Sequence, residues 1–120
     1  MKLTDTIGLV LKTKGEAKIL SIAPEHSVYE ALQIMSDRDI GALLVLSEGK
    51  LVGILSERDY ARKGVLLGHL SKETQVHQIM TTPAVFVGVE HTVDACMGIM
   101  TDHRIWHLPV LKDEQVLGVI

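Results

Sequence analysis

EHSVYEALQIMSDRDIGALLVLSEGKLVGIL, residues 25–55, and EHTVDACMGIMTDHRIWHLPVLKDEQVLGVI, residues 90–120, are one pattern written twice at a constant offset of 65 without a gap. Glu25/Glu90, His26/His91, Val28/Val93, Ile34/Ile99, Met35/Met100, Asp37/Asp102, Ile40/Ile105, Leu43/Leu108, Val45/Val110, Leu46/Leu111 and Gly53/Gly118 are identical pairs. Ala31/Cys96, Leu32/Met97, Leu51/Val116 and Ile54/Val119 keep their polarity. A repeat of this length fixes the architecture before any local reading is made. Two copies of one unit predict a pseudo-twofold pair, and clefts between similar halves are common places for small ligands.

Working outward, each copy reads as a β-α-β-β-α unit. In the first, 18–22 is short and extended and Pro24 closes it. Ser27 and Glu30 have the spacing of a capping box, in which each residue satisfies a free amide of the other. Val28, Ala31, Leu32, Ile34 and Met35 give the following helix a wide apolar face. The apolar run 42–46, the turn Glu48-Gly49-Lys50 and the run 51–55 predict a hairpin. Ser56 opens another helix to about Lys63. In the second copy, 85–87 is the expected strand and Thr92 caps a helix running to about His103. Its inward residues are read as Val93, Cys96, Met97, Ile99 and Met100. Strands at 107–111 and 116–120 follow. The helix that follows Leu55 has no counterpart after Ile120. Upstream, Leu3, Ile7, Val10 and Leu11 have helical spacing over 3–12, with Lys14-Gly15 as the stop. The expected divisions are 1–15, an N-terminal helix; 16–64, the first motif; 65–83, a connector with a short helix near 76–80; and 84–120, the second motif.

Composition narrows the function. The 120 residues are 47% hydrophobic, in short segments well below the roughly 18–20 that a membrane span needs. No signal-like stretch opens the chain. With a single cysteine, Cys96, no internal disulfide forms, and a reducing cytoplasm fits best. A net charge of −3 and 3% aromatic residues argue against nucleic-acid binding. His103 and His107 are four apart, but the helix ends between them. His26 and His91 are repeat equivalents beside helix caps, so no metal cluster is expected. Cys96 takes the apolar position of Ala31, which predicts a buried, inert thiol. Neither a Ser-His-Asp order, a Gly-rich phosphate loop nor a paired-carboxylate motif is present, so neither an enzyme nor a catalytic cofactor is expected.

The stretch Ser56-Glu57-Arg58-Asp59 ends a strand and starts a helix. A helix N-terminus offers free amides and a positive dipole end to phosphate. The Ser hydroxyl can donate to a phosphate oxygen, and a carboxylate one turn on can accept from two ribose hydroxyls. Arg58, Arg62 and Lys63 add positive charge. The same Ser-x-x-Asp pattern is also an ordinary helix cap, so both readings stand.

In this order the pieces resemble the tandem CBS domain, or Bateman module, as found in small stand-alone bacterial proteins. The resemblance runs from Ile19 to Ile120. It rests on Ile22-Ala23-Pro24-Glu25-His26-Ser27-Val28, the hairpin from Ile40-Gly41-Ala42 to Leu55, and Ser56-Glu57-Arg58-Asp59. It rests also on Val76-His77-Gln78-Ile79-Met80-Thr81 and Ile105-Trp106-His107-Leu108-Pro109-Val110. The resemblance implies a mixed α/β (α+β) fold of two motifs, the second lacking its last helix, and regulatory binding of AMP, ADP, ATP, NAD(H) or S-adenosylmethionine between the motifs. It implies phosphate and ribose contacts from Ser56, Arg58, Asp59 and Arg62. Base contacts would come from Leu20, Ser21, Ile22, Gly41 and Ala42, and cross-motif contacts from His103, Arg104 and His107. It also implies a homodimer through helices 27–37 and 92–103, whose Met35, Met97 and Met100 widen the apolar face. Trp106 is expected to pack among apolar strand residues.

Overall fold

The structure is a computed structural model that describes residues 1–14 and 19–120. The helix stop at Gly15 and the extended start at Lys18 fall outside the described residues. The chain forms two compact units, Leu20–Ala84 and a second composed of Met1–Ile19 with Val85–Ile120.

In the unit Leu20–Ala84, β1 (Ser21–Ile22), β2 (Ala42–Ser47) and β3 (Lys50–Ser56) form a three-stranded sheet in that order. β1 runs parallel to β2, with Ser21 opposite Leu44, and β2 is antiparallel to β3, with Ala42 opposite Ser56. Between β1 and β2 the chain crosses over through α2 (Val28–Arg38). The Ser27 hydroxyl caps α2 by accepting the Glu30 N–H. The Glu30 carboxylate in turn accepts from the Ser27 hydroxyl and from His26 Nδ1. Val28, Ala31 and Met35, one turn apart, are buried against Ile22, Leu43, Val45 and Leu55. This is the 3.6-residue stripe meeting the alternate residues of the strands. α3 (Glu57–Asp59) continues directly into a wider π-helical segment, Tyr60–Val65, so the helix expected to stop near Lys63 extends to Val65. α4 (Val76–Ile79) completes this unit.

The other unit contains α1 (Ile7–Lys14), α5 (Val93–His103) and the antiparallel hairpin β4 (Pro109–Lys112) and β5 (Gln115–Val119). Thr92 caps α5 by accepting the Ala95 N–H. The strand expected at 85–87 contracts to one parallel bridge, Val87 to Val110, closed by Val87 N–H to Pro109 O and Leu111 N–H to Val87 O. Both hairpins carry a register shift at the same repeat position, between Val45 and Leu46 and between Val110 and Leu111. Cys96 is buried as expected, with Ile7, Val87, Leu108 and Val110. Two expectations fail here. Met97 is 53% exposed because it sits on the outer side of α5, and Trp106 is 76% exposed in the turn before β4 rather than packed.

The N-terminal helix begins four residues later than its apolar spacing predicted, because Leu3 to Asp5 form a turn and Thr6 is taken up in a bridge. Thr6 bridges Thr92, Val93 N–H reaches Asp5 O, and Ile7 N–H reaches His91 O. At the same positions of the first copy, Gln75 bridges Ser27, Val28 N–H reaches Thr74 O, and Val76 N–H reaches His26 O. The segment that precedes each copy therefore packs on the other copy. Ile7 enters the core containing Cys96, and Val76 enters the core containing Val28.

Candidate functional site

Topology brings three of the sequence-singled stretches to one end of the three-stranded sheet. Ser56 closes β3 opposite Ala42, which opens β2. Gly41 precedes it, and its carbonyl accepts the Glu57 N–H at 3.0 Å. Leu20, Ser21 and Ile22 supply the neighbouring start of β1, parallel to β2. Of these, Ile22 is buried, Leu20 packs against the core, and Ser21 is exposed.

Ser56-Glu57-Arg58-Asp59 forms a full capping box. The Ser56 hydroxyl accepts the Asp59 N–H at 3.1 Å, and Asp59 Oδ2 accepts the Ser56 N–H at 3.0 Å. The same hydroxyl lies 3.0 Å from Oδ2, placed to donate to it. Two of the first three helical amides, those of Glu57 and Asp59, are thus taken by Gly41 O and Ser56 Oγ. The free phosphate-seeking amides expected from the sequence are reduced accordingly, because capping satisfies them first.

Asp59 is only 7% exposed, and its second oxygen is also engaged. The Thr81 hydroxyl donates to Oδ1 at 2.8 Å from 22 residues downstream, and Lys63 Nζ lies 3.1 Å from the same oxygen. Lys63 Nζ is also 3.2 Å from Thr81 Oγ1. Thr81 is fixed by its backbone, which exchanges two hydrogen bonds with Ile54. Arg58 and Arg62 are exposed on the same turns. The sequence reading named Thr81 only as the end of the stretch Val76 to Thr81, with no role at the site, and treated Lys63 only as nearby charge. The available signal was the repeat itself, since the segment 74–81 is the counterpart of the strand-and-helix lead-in at 5–12.

His103, Arg104 and His107 belong to the other unit. His103 ends α5, and Arg104 follows as its left-handed cap at φ 55°. His107 is half-buried, and burial holds its pKa below the ordinary 6.5. A ring held neutral in this way is a weak partner for phosphate near neutral pH. No group of three or more His, Cys, Asp or Glu side chains among the described residues is arranged to hold a metal ion. No helix among them is long and apolar enough to cross a membrane.

With this geometry in place, comparison with known proteins identifies the class. The profile of the CBS domain matches residues 15–65 and again 76–120, and the chain belongs to the CBS-domain family, of which it holds two motifs. It is 39% identical over 123 residues to the mitochondrial CBS domain-containing protein CBSX3 of Arabidopsis thaliana. That match covers 96% of this chain but 60% of the plant protein, so the chain spans less than two thirds of this relative's length. The crystal structure of the CBS domain NE2398 is 44% identical, covering 97% of this chain and 90% of its own, with a TM-score of 0.89. The CBS domain pair of protein MJ0100, solved in complex with 5′-methylthioadenosine and S-adenosyl-L-methionine, is similar in fold at 24% identity. Its TM-score is 0.81, with 98% of this chain and 89% of that chain covered.

Proposed function

We propose that this chain is a regulatory module that binds an adenosine-containing ligand, one of AMP, ADP, ATP or NAD(H), and does no catalysis. The observation that carries the reading is the convergence of Ser56 to Asp59, Gly41-Ala42 and Leu20 to Ile22 at one sheet end in a CBS-family chain. The ligand complex of the MJ0100 domain pair supports the adenosine class. In this reading Ser56, Arg58 and Arg62 receive phosphate, Asp59 receives ribose, and the backbone around Ser21 and Gly41-Ala42 meets the base. His103, Arg104 and His107 are the proposed second-motif contributors. The motifs follow the divisions 16–64 and 84–120, and two copies associate through helices 27–37 and 92–103. Cys96 as a free thiol suits a reducing compartment, and the cytoplasm is the proposed location. A ligand acts on such a module only through its different affinity for two arrangements, which a regulated partner then reads.

A second reading, a ligand-independent dimerisation adaptor, is favoured by one observation: the Asp59 carboxylate is already satisfied inside the fold. Thermal unfolding with AMP, ADP, ATP, NAD+, NADH and S-adenosylmethionine, each at about 1 mM, separates the two. A ligand at about 100 times its Kd adds roughly 2.7 kcal/mol, several degrees for a domain of this size. The sensor reading expects such a shift with at least one compound. The adaptor reading expects none, together with a dimer that dissociates when Met97 is replaced by Glu.

A further inference from the structure

Four polar groups surround the Asp59 carboxylate, and they differ in how easily they can leave. The Ser56 amide and hydroxyl are built into the cap on Oδ2. Thr81 is tied on Oδ1 by a residue whose amide and carbonyl both bond to Ile54. Lys63 alone reaches in on a flexible stem from i+4, with its side chain 43% exposed against 9% for Asp59. An exposed ammonium on a half-open pair adds little to stability and moves without disturbing the backbone. A ribose diol approaching this carboxylate needs acceptor capacity on it, and among the described residues the cheaply vacated position is the one Lys63 holds.

We propose that Lys63 makes this site select a phosphorylated ligand, by exchanging Asp59 for phosphate when ribose takes the carboxylate. The inference rests on the nucleotide reading of the site. A neutral nucleoside breaks the Lys63–Asp59 pair, returns hydroxyl donors to the carboxylate and brings no anion for the ammonium, which is left to water. A nucleotide breaks the same pair and supplies a stronger anion for the released ammonium, whose long stem starts one helical turn from Asp59 and about two from Ser56. Lys63 therefore opposes adenosine and favours AMP.

The test is isothermal titration of adenosine and AMP into the wild type, K63M and K63Q, with K63R as a charge-retaining control. The ratio of AMP to adenosine affinity should fall about ten-fold or more in K63M and K63Q, the worth of one charged hydrogen bond. Both should bind adenosine as well as the wild type or better, so the preference for AMP collapses, and K63R should restore it. Equal changes for both ligands, which leave the AMP-to-adenosine ratio as in the wild type, overturn the inference. A wild type that binds AMP while K63M is indifferent removes only the role of Lys63. A wild type that binds neither compound removes the nucleotide reading, and this inference with it. Circular dichroism melts check that each variant is folded.

Discussion

Gly53 and Thr81 pass so closely that a β-carbon on the glycine would stand 2.9 Å from the threonine carbonyl oxygen, with Met80 Sδ at 2.7 Å. The carbonyl is part of the bridge to Ile54 and cannot give way. Gly118, its repeat equivalent, meets instead the Leu11 Cδ2 methyl at 3.0 Å, the far end of a flexible side chain. Gly53→Ala should therefore cost about 1–3 kcal/mol and Gly118→Ala clearly less. Urea unfolding of the two variants checks the order, and equal losses would refute it.

Replacing Asp59 should damage stability as well as any binding. The carboxylate accepts from Ser56, Thr81 and Lys63 within the protein. Asp59→Ala removes a helix cap and the part-buried Thr81 contact, which should cost about 1–2 kcal/mol. A double-mutant cycle with Thr81→Val should show coupling between the two sites. Strict additivity would show that the 2.8 Å contact contributes nothing.

His107 should give stability a slope on the acid side of neutrality. Its pKa in the folded chain lies below the ordinary 6.5 because burial disfavours the charged ring. As pH falls below 6.5 the unfolded chain takes up the proton first, so stability falls with pH. The loss levels off once the folded ring is protonated too. Melting temperature against pH for His107→Gln should lack this component. A profile parallel to the wild type through that window would exclude the ring as its source.

Ile7 should behave as a core residue although it lies near the start of the chain. It is 1% exposed and packs with Cys96 and Leu108. Ile7→Ala should cost about 2–5 kcal/mol, the range for a buried aliphatic truncation. Leu3→Ala, at a site 55% exposed, should be close to neutral in the same denaturation series.

The repeat made the two hairpins, both long helices and their Ser27 and Thr92 caps legible, because periodicity, caps and turn residues are local signals. It also placed Ser56 and Asp59 at a strand-to-helix junction. What stayed hidden was set by distant partners. Thr81 meets Asp59 across 22 residues, and no local pattern announces that. Leu3 has the helical spacing of Ile7, yet Leu3 to Asp5 form a turn because the backbone around Thr92 holds Asp5 and Thr6 outside the helix. Trp106 was judged by residue type, and apolar character alone does not bury a side chain in a turn.

The exchange of lead-in segments sets an order on how this protein is made. Residues 5–8 leave the ribosome some eighty residues before the backbone groups of Val89, His91 and Val93 that receive them. The stretch Leu20–Ala84, by contrast, contains its own lead-in at 74–81 and can close as soon as it is out. Ile7 thus waits uncovered while Leu20–Ala84 folds, since long-range pairing is slow to form and unpaired apolar segments are where nascent chains stick.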